Sequence, residues 1–112
     1  MQEVDVAIIG YGPSGVAAAN ALGAAGLSAV ALERDVDLYP RARAGTVNDW
    51  TMRCFQSVGL ADDVVRDMDE TVALRWMLYD GTEIFHLEFP PGELGFARSY
   101  SIYQPLMEQT LR

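Results

Sequence analysis

The chain has 112 residues, half of them hydrophobic and 21% charged, which is the composition of one small globular domain and excludes a disordered or collagen-like chain. Its formal charge of −8, from sixteen acidic and eight basic residues, argues against general nucleic-acid binding and against electrostatic attachment to an anionic membrane. The single cysteine, Cys54, excludes an internal disulfide and a multi-cysteine zinc site, and no apolar run reaches the ~18 residues of a spanning helix.

Val4 to Ile9 alternates weakly and then becomes continuously apolar, with valine and isoleucine dominant, as in a buried strand. No basic residue precedes it, so a secretory signal is not expected and a reducing, cytoplasmic setting is the default. Gly10 to Gly15 reads as a turn, with Pro13 near the first helical position, where its missing N–H costs nothing. Ser14 to Ala25 is alanine-rich and predicts a helix, which Gly26 ends. Ser28 to Glu33 predicts a second buried strand, so residues 1–34 form a βαβ unit with a right-handed crossover.

Residues 35–70 read as a helical connection. The part around Pro40 is irregular. Thr46 to Val58 then carries apolar residues at Val47, Trp50, Cys54, Phe55 and Val58, which is one helical stripe, ended by Gly59. This places Trp50, Met52 and Phe55 in the core and makes Cys54 a buried structural thiol. Ala61 to Met68 predicts a second short helix, with Asp62 and Asp63 in its first turn. Residues 71–90 predict an antiparallel hairpin, Thr71 to Tyr79 and Thr82 to Phe89, joined by the two-residue signal Asp80-Gly81. His86 falls on the polar face of the second strand and reads as a surface residue. Residues 91–112 are a loop and the start of a helix at Gln104, with Pro105 in its first turn. The fold class expected is α/β with an incomplete sheet: the chain stops inside a helix, and no third parallel strand is visible, so a truncated N-terminal portion of a larger protein is expected.

The strongest chemical signal is Gly10-Tyr11-Gly12-Pro13-Ser14-Gly15. This GxGxxG follows a strand, opens a helix and is followed after 18 residues by Glu33, at the end of the second strand. Gly10 allows the tight turn, Gly12 admits a pyrophosphate close to the backbone, and Gly15 lets the helix approach the strand. The helix N-terminus offers N–H groups and partial positive charge to phosphates. The Glu33 carboxylate can accept hydrogen bonds from both hydroxyls of an adenosine ribose, and it disfavours a 2′-phosphate there. The first sixty residues carry a net charge of −2 and the remainder −6, so an anionic ligand meets less repulsion in the first half.

The segments VAIIGYGPSG and VALERD, then YPRARAG, RCFQSVGLADDV and SIYQPLMEQTLR, resemble the N-terminal portion of FAD-dependent aromatic-ring hydroxylases, the single-component flavoprotein monooxygenases. YPRA, QSVGLADDV and IYQP together look most like 3-(3-hydroxyphenyl)propionate and related phenol hydroxylases. The gap from RARAG to Gly59 is closer to the spacing of 4-hydroxybenzoate hydroxylases. The resemblance implies a Rossmann-like FAD-binding unit. It implies that Gly10, Gly12, Pro13, Ser14 and Gly15 meet the FAD pyrophosphate, that Glu33 meets the adenosine ribose, and that Arg34 is a further cofactor-binding residue. Arg43 and Arg41 would lie toward the flavin side, and Gln104 would bond the cofactor from its helix start. Without the resemblance, Arg41 and Arg43 read as solvated loop residues and Gln104 as an ordinary polar helix residue. The activity implied is hydroxylation of a small phenolic substrate with NADH or NADPH and O2. The alternatives are another FAD-dependent oxidase or reductase, or a non-catalytic truncated FAD-binding fragment. No catalytic residue and no metal ligand is assigned. The acidic run Asp62, Asp63, Asp67, Asp69 and Glu70 reads as capping and solvation. Oligomeric state is left open.

Overall fold

The computed structural model describes residues 3–112; Met1 and Gln2, the first two positions of the predicted 1–34 unit, lie outside the described residues. In chain order the elements are β1 (Val6–Ile9), α1 (Pro13–Ala24), β2 (Ala29–Leu32), β3 (Thr46–Asn48), α2 (Asp49–Ser57), α3 (Ala61–Val65), β4 (Met68–Glu70), β5 (Ala73–Met77), β6 (Glu83–Glu88), β7 (Ser99–Ile102) and α4 (Gln104–Leu111). The chain is α/β, with the strands in three separate sheets.

β1 and β2 pair in parallel, Val6 opposite Ala29 and Ile9 opposite Leu32, with α1 connecting them. α1 ends where Gly26 takes φ +76. Its N–H donates to the Gly23 carbonyl and the Leu27 N–H to that of Leu22, a closing pair that a left-handed residue permits. The sequence predicts both strands as buried, and here the structure differs: Ile9 is 80% and Leu32 55% exposed. A parallel pair is buried only when both its faces are covered. α1 is the one helix making extensive contact with this pair among the described residues.

The second sheet corrects the sequence reading. β7 sits between β3 and β4, antiparallel to both, with Thr46 opposite Ser101 and Met68 opposite Ile102. The sequence places residues 46–48 and Met68 in helices and 99–102 in a loop. Strands of three or four residues carry too little alternation to read, and their pairing is long-range. α2 therefore begins three residues later than expected, capped by Asn48, whose Oδ1 accepts the Thr51 N–H at 3.0 Å. α3 is shorter than expected because Met68 is drawn into β4.

The later start goes with a different buried face of α2. Asp49, Met52 and Phe55 are its buried residues, while Trp50 is 67% exposed and Cys54 is exposed, against the expectation of a core tryptophan and a buried thiol. Asp49 is only 2% exposed. Its Oδ1 accepts the Trp50 N–H, while its Oδ2 lacks a hydrogen bond and has the Arg98 guanidinium 3.7 Å away. That opposite charge offsets part of the cost of burying the carboxylate.

Among the described residues β5 and β6 pair only with each other, and Trp76 meets Phe85 across the strands at 4.9 Å between ring centroids. The turn differs from the two-residue one expected. The Gly81 N–H donates to the Leu78 carbonyl at 2.9 Å, and Gly81 takes φ +89. Tyr79 and Asp80 therefore occupy the centre, with Gly81 as the left-handed residue that closes the loop. His86 is exposed on β6, within 4.0 Å of Glu83 and 3.7 Å of Glu88.

The core lies where α1, α2, α3, β7 and α4 meet, built from Val16, Met52, Phe55, Val64, Tyr100, Met107 and Leu111. Asn20 on α1 donates to the Leu111 carbonyl at 2.7 Å and to the Val16 carbonyl at 3.1 Å. This contact fastens α4 against α1 and brings residues 104–112 beside the glycine turn.

Candidate functional site

The turn between β1 and α1 is held from within. Gly10 takes φ +95, which L side chains rarely adopt, and its N–H donates to the Leu32 carbonyl at 2.8 Å. A Cβ on Gly15 would lie 2.0 Å from the Gly10 carbonyl oxygen and 3.3 Å from the Ile8 side chain. Those two glycines serve the fold. Gly12 does not: it caps α1 with φ −78 and ψ −168, and a Cβ there would meet nothing within 4 Å. Its bareness leaves an open approach to the backbone. α1 has no side-chain cap and Pro13 at its start. The first-turn N–H groups of Ser14 and Gly15 are thus without an intrahelical acceptor, as helix geometry requires, and face a region of positive helix potential.

Glu33 stands at the end of β2 beside this turn. Its carboxylate accepts the Tyr11 N–H at 2.6 Å, the Arg34 N–H at 2.7 Å and the Asp35 N–H at 3.1 Å. The Tyr11 N–H first, then those of Asp35 and Arg34, hold its pKa below the ordinary 4.5. A depressed carboxylate contributes stability that is present above its unfolded pKa and lost as pH falls through the folded one. The tie between Glu33 and the turn is therefore expected to be constant at neutral pH and to release only in acid below pH 4.5. The Tyr11 amide shift followed by NMR through an acid titration checks this: it should move with Glu33, and the Glu33→Gln variant should abolish that step.

Of the residues singled out from the sequence, Gly12, Glu33, Arg34 and Arg43 line one cavity of about 210 Å³, together with Tyr11, Glu108 and Arg112 among others. Arg43 lies over the Tyr39 ring, 4.3 Å from its centroid, and Arg34 is exposed beside Asp35 at 3.4 Å. Arg41 is exposed and does not line that cavity. Gln104 does not line it either: it is 3% exposed. Its Oε1 accepts the N–H groups of Arg43 and Ala44, each at 2.8 Å, and its Nε2 donates to Glu108 Oε1 at 2.6 Å. Gln104 thus anchors the segment that carries Arg43. Sequence reasoning missed Glu108 and Arg112. Their only signal was helical spacing, at four and eight residues beyond Gln104.

The family described as FAD binding domain matches residues 3–112. The chain belongs to the FAD binding domain family. It is 40% identical over 109 residues to a probable NADH-specific resorcinol 4-hydroxylase of Rhodococcus jostii (strain RHA1), covering 96% of this chain and 21% of that protein. It is 37% identical over 107 residues to a 3-(3-hydroxy-phenyl)propionate/3-hydroxycinnamic acid hydroxylase of Burkholderia cenocepacia (strain HI2424), covering 96% and 20%. This FAD binding domain chain therefore spans about a fifth of the length of those relatives. Among solved structures, the flavin-dependent monooxygenase PieE in complex with FAD and substrate is 25% identical, with TM-score 0.79, over 96% of this chain and 21% of that one. The p-nitrophenol 4-monooxygenase PnpA from Pseudomonas putida DLL-E4 shares the fold, with TM-score 0.85 at 22% identity, over 99% and 29%. No helix among the described residues is long and apolar enough to cross a membrane.

The residues present fit the group the family takes. The Gly12 approach is open, uncapped helix amides face it, and three guanidiniums stand round the same cavity with four carboxylates, Glu33 among them.

Proposed function

We propose that this chain holds the adenosine and pyrophosphate end of FAD in a monooxygenase that hydroxylates a phenolic ring with NADH and O2. The observation that carries the reading is Gly12: its bareness answers no demand of the fold and suits a ligand lying against the turn. In this reading residues 1–34 are a Rossmann-like unit, 35–70 its connection, 71–90 an added hairpin and 91–112 the loop and helix that close the site. The amides of Ser14 and Gly15, with Gly10, Gly12 and Pro13 shaping the turn, receive the phosphates. Glu33 Oε2 accepts one N–H and keeps a lone pair for a ribose hydroxyl, with Arg34 beside it. Arg43 faces the phosphates, Arg41 extends the positive charge of its loop, and Gln104 sets the position of Arg43.

Bound flavin supplies the redox chemistry, electron uptake from a nicotinamide and activation of oxygen. This chain's share is to bind and orient it. The phenolic substrate and NADH are supported by the relatives, one named as an NADH-specific resorcinol hydroxylase. The reading includes a cytoplasmic location and no nucleic-acid or membrane partner, in keeping with the charge of −8. The test is the full-length gene product, purified and assayed with resorcinol and with 3-(3-hydroxyphenyl)propionate. A yellow protein that couples NADH oxidation to a hydroxylated phenol is expected. Oxidation with no hydroxylated product would favour an oxidase or reductase, and a colourless protein that takes up no FAD would overturn the reading altogether.

A further inference from the structure

Arg112 reaches across the glycine turn from the end of α4. Its Nη2 donates to the Tyr11 carbonyl at 3.0 Å, and its guanidinium carbon lies 5.0 Å from the centroid of the Tyr11 ring. Tyr11 is the residue between the first two glycines of the motif. The contact spans 101 residues of chain and exists because α4 is fastened to α1 through Asn20.

The charge around the cavity at the turn makes this placement consequential. Glu33, Asp35, Asp37 and Glu108 line it, against Arg34, Arg43 and Arg112. Arg34 is matched with Asp35. Arg66, Arg75 and Arg98 elsewhere are also ion-paired, whereas neither Arg43 nor Arg112 forms an ion pair among the described residues. Arg41 and Arg53 form no ion pair among the described residues either, but only Arg43 and Arg112 of these four line this cavity, where they are available to an outside anion. The Tyr11 carbonyl occupies one of the five N–H donors of Arg112, and the planar fork that remains suits phosphate oxygens.

We infer that Arg112 is a second phosphate-facing cation of the cofactor site, paired across the turn with Arg43; this rests on the FAD reading above. The four carboxylates already outnumber the three guanidiniums around the cavity, so removing Arg112 deepens the negative charge that a diphosphate meets there.

Binding of FAD, ADP and adenosine to the full chain, measured by calorimetry at low and high salt, tests the inference. Arg112→Ala is expected to weaken FAD and ADP by about tenfold or more, the scale of one charge-assisted hydrogen bond. Adenosine, which lacks phosphates, should be unaffected, and ADP binding should become less salt-sensitive. Arg112→Lys should recover part of the loss. Equal weakening of ADP and adenosine would mean that Arg112 only staples α4 to the turn, and no weakening would mean that it does neither; both overturn the inference while FAD binding stands. A wild-type chain that binds neither FAD nor ADP would instead overturn the FAD reading itself.

Discussion

Gly12→Ala is expected to leave the fold intact and to weaken FAD binding about a hundredfold or more, which corresponds to roughly 2.7 kcal/mol or more. Two facts separate the effects. The backbone at Gly12 is extended, at φ −78 and ψ −168, so alanine adopts it without strain, and the added methyl meets no protein atom within 4 Å. The methyl would occupy only the space that the proposed site leaves for a pyrophosphate beside the helix amides. Gly15→Ala is the contrasting case. Its Cβ would lie 2.0 Å from the Gly10 carbonyl oxygen and 3.0 Å from the Gly10 carbonyl carbon, both backbone atoms that no rotamer change can move. A loss of about 3 kcal/mol in stability, from overpacking at a tight turn, is expected there. Urea unfolding and flavin retention, measured on both variants, separate the two. A Gly12→Ala protein that binds FAD as well as the wild type would show that the open approach is not used.

Gln104→Ala carries the largest expected loss of stability. The side chain is 3% exposed and joins three partners. Its removal leaves the Arg43 and Ala44 amides without their acceptor and the Glu108 carboxylate, also buried, without its donor. Glu108 left unsatisfied in the interior costs about 1–3 kcal/mol and each of the two part-buried amide bonds about 1 kcal/mol, so a total of roughly 4 kcal/mol is expected. Because Arg43 loses its anchor, FAD affinity should fall as well. Gln104→Glu refines the test. It keeps an acceptor for the two amides but sets a second carboxylate against Glu108. Two carboxylates in contact cannot both ionise easily, so one takes up a proton at higher pH than usual. That variant should be weak at neutral pH and recover part of its loss relative to the wild type in mild acid; urea midpoints of both proteins across pH measure this.

The parts of the fold that could be read directly from the sequence are those whose cause is local. Pro13 and Gly26 mark the two ends of α1 because one fixes φ and the other tolerates a left-handed backbone. The glycine spacing and the acidic residue after the second strand are legible for the same reason: turn, helix start and strand end are set by neighbours in sequence. Trp50 shows where local reading fails. Its spacing with Cys54 suggests a buried stripe, yet the docking of β3 on β7 and the cap at Asn48 accompany a buried face made of Asp49, Met52 and Phe55 instead.

The sequence by itself determined the glycine turn, the helix it opens, the parallel strand pair and the placement of Glu33 at the second strand's end. Only the tertiary structure decided that 99–102 is the centre of a sheet, that Gln104 holds the Arg43 segment 61 residues away, and that Arg112 reaches Tyr11. The physical reason is the same for all three. Short strands and single polar side chains gain their energy from partners brought near by packing, and nothing in the adjacent residues names those partners.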